Sequence, residues 1–128
     1  MLRRNDTELW SAPIWVDFNA ASQRSPRRRQ PAWLVPLDYP GTTSDLARYG
    51  ITLVDGLPLV LFSYDATEAG DPDDLVALGV AERDRRSGRW VARFQVSRLC
   101  HQSDLDEADQ RLFGRYVRER PDMPGTSR

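Results

Sequence analysis

The sequence predicts a small, mainly β domain: an SH3-like barrel or rolled antiparallel sheet with one short helix and a C-terminal helix. An open α+β sheet is the alternative. Three observations lead there. Across 50–94, β-branched and large apolar residues recur in short runs between turn residues, at the spacing hairpins need. The run 57–64 is apolar at odd and even positions alike, which demands cover on both sides or closure into a barrel. After Gln95 the apolar period lengthens toward the helical repeat.

Taken in order, residues 1–12 read as a flexible polar leader in which Leu2, Leu9 and Trp10 are the apolar exceptions. The single domain spans 13–120. Its first strand is expected over 13–18, with Ile14, Val16 and Phe18 on one face and Trp15 and Asp17 on the other. Residues 19–31, rich in Ser, Gln, Pro and Arg, form a loop holding Arg24, Arg27, Arg28 and Arg29. A second strand over 32–37 is kept short or at an edge by its prolines. Thr42 followed by Asp45 resembles a capping box for a helix over 42–50, with Gly50 as its stop and Leu46 and Tyr49 toward the sheet. The run 51–54, the Asp55-Gly56 turn and the run 57–64 form a hairpin, and Pro58 sets the start of its second strand at an edge. An acidic loop over 65–74 leads to a strand over 75–83, where Gly79 marks a bulge or a close backbone approach. A turn over 85–88 returns the chain through 89–94. Ser103 then caps a helix over 103–120 carrying Leu105, Ala108, Leu112 and Tyr116, with arginines toward its end. Pro121 ends it, and 121–128 form a disordered tail.

Composition removes whole classes of chemistry. All 18 basic residues are arginine, so a lysine phosphate clamp, a Schiff base and a kinase-type strand lysine are excluded. One histidine and one cysteine rule out the usual Cys/His zinc sets within the chain, and no intrachain disulfide can form. No cofactor is expected. The first residues lack the apolar stretch of a secretion signal, and no run approaches the roughly 20 apolar residues of a membrane span. A cytoplasmic protein without membrane contact is the expectation. Net charge is −1, divided as +3 over 1–37, −8 over 38–82 and +4 over 83–128. Pairing of the acidic middle with the basic ends is the plainer reading, and a two-sided charged surface the other.

A pattern runs through residues 13–104: Trp15-x-Asp17-Phe18-Asn19, Gly41-Thr42, Asp45-Leu46-x-Arg48-x-Gly50-Ile51-x-Leu53, Gly56-Leu57, Asp65, Gly70, Asp73-Asp74-Leu75, Gly79-Val80, Trp90-Val91-Ala92 and His101-x-Ser103-Asp104. It resembles a group of small bacterial proteins for which no activity is established. The Arg-rich loop departs from the group as an insertion. The resemblance implies a shared domain and no mechanism.

Candidate constellations are few. Asp65, Glu68, Asp71, Asp73 and Asp74 are oxygen donors suited to a hard cation, but their spacing does not follow the calcium-loop pattern and a solvated hairpin loop explains them as well. No spacing fixes them as a glycosidase pair either. Cys100 and His101 are adjacent, so their side chains diverge in a strand or helix; Ser97, Ser103 and Asp104 lack a nucleophile-elbow sequence. The expected function is therefore a non-enzymatic interaction or adaptor module with another protein as partner, contacted through Trp10, Trp33, Asp65, Asp71, Asp73 and Asp74. Such a partner calls for a contiguous exposed apolar patch containing a tryptophan. The alternative is an RNA- or DNA-binding barrel using Arg24, Arg27, Arg28, Arg29, Arg85, Arg86 and Arg89, with Arg83 and Arg93 beside them.

Overall fold

The alternation of side chains along the apolar run at 58–63 decides the architecture. Leu59 and Leu61 point into one apolar cluster and Val60 and Phe62 into another, all four at 0–1% exposure. A strand dry on both faces belongs inside a sheet. The computed structural model, which describes residues 13–23 and 32–106, places it there. Strands β1 (Pro13–Trp15), β2 (Ser22–Gln23), β3 (Trp33–Pro36), β4 (Pro58–Ser63), β5 (Leu75–Arg83), β6 (Trp90–Phe94) and β7 (Cys100–His101) form one sheet, and helix α1 (Pro40–Arg48) lies between β3 and β4 in the chain. The order is β1-β4-β5-β6-β3-β2, with β7 also on β5.

The sheet is open and mixed, which corrects the expectation of a closed SH3-like barrel or an all-antiparallel roll. Its order ends on β1 and β2, which do not pair with each other. β1 runs parallel to β4, with Ile14 opposite Leu61. Parallel neighbours need a long crossover, and the chain between them, which includes α1, supplies it. The remaining pairings are antiparallel. β6 and β7 share one edge of β5, at Val80 to Arg83 and at Leu75 and Val76, and the 3-10 turn Val96–Arg98 separates them.

Several element boundaries also differ. Phe18 starts a 3-10 turn, Phe18–Ala20, capped by Asp17, and β2 follows, so the first part of the expected loop is ordered backbone. The segment 51–54 joins no strand; only the turn after it forms, with Leu57 N–H donating to the Val54 carbonyl and Gly56 N–H to Ala81 on β5. The helix begins earlier than the capping-box pattern implies. Pro40 takes its first position, and Thr42 is a buried residue within it, not its cap. Its end is as expected: Gly50 sits at φ 65°, with Gly50 N–H bonded to Ala47 and Ile51 N–H to Leu46, the bond pair of a Schellman motif. Pro58 lies inside the sheet, but the described part of β1 begins opposite Val60 and leaves that end of β4 clear. Ser103 does not start a helix. Gln102–Asp104 is a 3-10 turn and Leu105 is extended, while the rest of the expected helix, 107–120, lies outside the described residues, as do the leader and the tail.

Asp45 does different work from the capping expected of it. Its Oδ2 accepts the N–H of Trp15 at 2.9 Å. Val16 N–H bonds Phe62 on the β4 side, so the Trp15 donor belongs to the outer edge of β1. A helix side chain thus closes an edge that would otherwise offer itself to another strand. Burial pushes the Asp45 carboxyl above its ordinary value of 3.8, more than the Trp15 bond and nearby Arg48 lower it. The folded state therefore binds this proton more tightly than the unfolded chain, and the contribution of Asp45 to stability falls as pH rises through its raised pKa.

Two stability outcomes follow. Asp45→Ala, which orphans the Trp15 donor, lowers the unfolding free energy in urea at pH 7 by about 1–2 kcal/mol, whereas Asp45→Asn keeps an acceptor and costs distinctly less. Gly79→Ala costs about 1–3 kcal/mol by the same measurement, because a Cβ there would stand 2.7 Å from Leu61 Cδ1 and 3.2 Å from the Arg93 carbonyl oxygen.

Candidate functional site

The N-terminal end of β5 gathers the acidic chemistry. The loop between β4 and β5 is closed by its own backbone: Asp73 N–H donates to the Asp65 carbonyl, Thr67 N–H to Asp71, and Ala66 bridges Pro72. β7 lies alongside, with His101 opposite Leu75 and Cys100 opposite Val76. Alternation along β7 sends these two side chains apart, as adjacency predicts: Cys100 packs on the cluster of Val60, Phe62, Val76 and Leu105, while His101 Nε2 meets Asp65 Oδ2 at 2.9 Å. Two residues further, Ser103 donates to Asp73 twice, from its N–H at 2.9 Å and its hydroxyl at 2.7 Å.

Each pairing shifts the groups concerned. The hydrogen bond to Asp65 raises the His101 pKa above 6.5, with Asp73 and Asp104 adding to it by charge. In return the His101 bond holds the Asp65 carboxyl below its ordinary value, helped by the Ala66 N–H. Ser103 lowers Asp73 in the same way. Sequence reasoning put the acids in the loop but missed both partners. The available signal was the pair of polar residues His101 and Ser103 in the segment after β6; that they meet the loop is set by the β5–β7 register, which the sequence does not display.

The other predicted contacts are divided by the structure. Asp71 and Glu68 are exposed on the loop. Asp74 is fully buried, which corrects its assignment as a partner contact. Trp33 is half-buried, packed against the main cluster with part of its surface exposed. Trp15 and Trp90 are also half-buried, and the exposed large apolar residues among those described are Val54 and Val96. Among the described residues no tryptophan is fully exposed. Trp10, Arg24, Arg27, Arg28 and Arg29 lie outside them. The five acids of the loop do not converge either: among the described residues no three His, Cys, Asp or Glu side chains are grouped to hold a metal ion.

At the far end of β5 the arginines are largely committed. Arg89 grips Asp38 through Nε and Nη2, both at 2.7 Å, and holds that carboxyl below its ordinary value. Arg83 lies 4.8 Å over the Trp90 ring and donates to the Gly88 carbonyl. Arg93 pairs with Glu82 at 3.1 Å. Arg85 and Arg86 remain exposed on the turn, with no ion-pair partner among the described residues. The acidic middle thus pairs in part with the basic C-terminal third. No described helix is long and apolar enough to cross a membrane.

The His101–Asp65 pair has a defined pH window. A raised histidine pKa gives stability that is complete below the ordinary 6.5 and lost as pH rises through the folded value; a lowered aspartate pKa gives stability present above 3.8 and lost as pH falls through the folded value. The pair is strongest between those limits. An NMR titration of His101 in Asp65→Asn returns its midpoint toward 6.5, and Ser103→Ala moves it much less.

Comparisons with family models, curated proteins and solved structures return no match to this chain, so the chemistry of its own side chains carries the functional assignment.

Proposed function

We propose that the domain is a non-enzymatic interaction module whose acidic end, at Asp65, Glu68, Asp71, Asp73 and Asp104, receives a positively charged segment of another protein. The observation that carries this is the charge at one end of β5. Residues 64–74 and 101–106 contain seven acids, one histidine and no arginine, on a loop pinned by β7 and by its own backbone bonds. A prearranged surface of one sign lowers the entropy cost of docking and speeds encounter with the opposite sign. The hydroxyl and the imidazole support the non-enzymatic part of the reading. Ser103 is bound to Asp73 and His101 to Asp65, so the acid–imidazole–hydroxyl relay of a nucleophilic hydrolase is not what these bonds build.

The second reading, an RNA- or DNA-binding domain, draws on exposed Arg85 and Arg86. Its local charge is small. Arg83, Arg85, Arg86 and Arg89 stand with Asp84, Asp38 and Asp55, and Asp55 accepts the Arg83 N–H at 2.9 Å. Phosphate binding draws its energy from uncompensated cations, which ranks this reading below the first.

Binding of a synthetic arginine-rich peptide, followed by fluorescence anisotropy, tests the proposal. The affinity weakens as salt is raised, and the triple variant Glu68→Gln/Asp71→Asn/Asp104→Asn weakens it about ten-fold at low salt. Salt-insensitive binding, or affinity unchanged in the triple variant, rejects the acidic end. Affinity capture from lysate with and without nuclease separates the two readings: material lost on nuclease treatment and on Arg85→Ala/Arg86→Ala favours nucleic acid.

A further inference from the structure

The segment after the 3-10 turn Val96–Arg98 is attached to β5 by a short ladder. β7 contributes two paired residues, against six along β4 and β5. Further bonds run from it to the β4–β5 loop: His101 to Asp65, Ser103 to Asp73, and Gln102 N–H to the Asp74 carbonyl at 2.7 Å. Beyond them Leu105, buried, joins Val60, Phe62 and Val76. Among the described residues the charged groups acting on His101 are Asp65 and Asp73 from the loop and Asp104 from its own segment, while Cys100 turns to the opposite face.

We propose that residues 100–105 are a strap that is held shut over β4 and β5 while His101 is protonated and loosens when it is neutral. With an imidazolium present, one cation sits among three carboxylates. Without it, Asp104 on the strap and Asp65 and Asp73 on the loop repel across the boundary the strap must close. A neutral ring keeps its hydrogen bond to Asp65, so the change is a loosening and not a release of the whole sheet. Loosening uncovers Val60, Phe62, Val76 and Cys100, an apolar surface offered in a pH-dependent way. The direction of the His101 shift agrees with this, and the strap stands whatever the acidic end binds.

The sole cysteine gives the readout. Cys100 is labelled with an uncharged disulfide reagent from pH 5.5 to 8.5, and its rate is divided at each pH by that of the denatured chain. The normalised rate rises about two- to five-fold across this range, the scale of one exposed ion pair, is flattened in Asp65→Asn and is level in His101→Gln. Hydrogen exchange of the Gln102 and Ser103 amides, corrected for intrinsic rates, follows the same profile while Leu61 on β4 stays protected. A level wild-type profile overturns the proposal without recourse to variants. So does a slope that persists in His101→Gln, or a parallel loss of protection at Leu61.

Discussion

Burial of β4 on both faces is the constraint on which the rest of the molecule depends. Because Leu59 and Leu61 serve one cluster and Val60 and Phe62 the other, β4 needs a strand on each side and a layer on each face. β5 and β1 supply the edges. α1, through Leu46, joins the first layer with half-buried Phe18, Tyr49, Ile51 and Leu53, and Leu105 joins the second with Trp15, Tyr64 and Cys100. Burying such aliphatic side chains contributes about 1.5–3 kcal/mol each. No single surface contact among the described residues competes with that, so charges and turns here arrange themselves around a sheet already determined by β4.

That ordering explains how the charges are spent. The acids of the middle third are not uniformly available: Asp38 and Glu82 hold Arg89 and Arg93, Asp45 closes an edge, and Asp74 is inside. Of what remains, Asp65, Glu68, Asp71 and Asp73 collect at the N-terminal end of β5, about 25–30 Å from the arginine turn at its other end, beside which Asp55 stands. The exposed pairs contribute little to stability individually. Their larger effect is to reduce the charge of the basic end, where Arg85 and Arg86 stay exposed, so that among the described residues the acidic end carries the larger uncancelled charge.

Much of the fold was legible because a buried strand marks the sequence, by period-two alternation where one face is dry and by an unbroken apolar run where both are. β4, β5 and β6, the turn at Gly56 and the helix stop at Gly50 all follow from it or from glycine's tolerance of positive φ. The parallel placement of β1 was not legible, since Ile14 and Val16 alternate alike beside a parallel or an antiparallel neighbour. Nor was the open edge: closure depends on which strands lie outermost, and Asp45 seals β1 by a bond spanning 30 residues of sequence. Asp45 also shows why a local motif misleads, for the same carboxylate fits a capping box in sequence and a strand edge in space. Of the site, the acids were readable from composition, whereas Asp65–His101 and Asp73–Ser103 join segments more than two dozen residues apart and needed the β5–β7 register.

The same register makes one part of the sheet separable from the rest. A strand held along six residues, with both faces dry, opens only with the whole domain, but a two-residue strand whose further bonds end on one loop has its own, lower opening free energy. Two of those links, His101 with Asp65 and Ser103 with Asp73, end on carboxylates, so part of the hold on the strap varies with pH. Leu105 opposes this by adding an apolar contact to the strap, and its burial keeps the segment closed by default. Segments at the low end of the stability range are where proteins place responsive elements. Here the low end coincides with the acidic surface, so whatever engages Asp65 or Asp73 competes with His101 and Ser103 for the same carboxylate oxygens, and binding there is coupled to the strap by shared atoms.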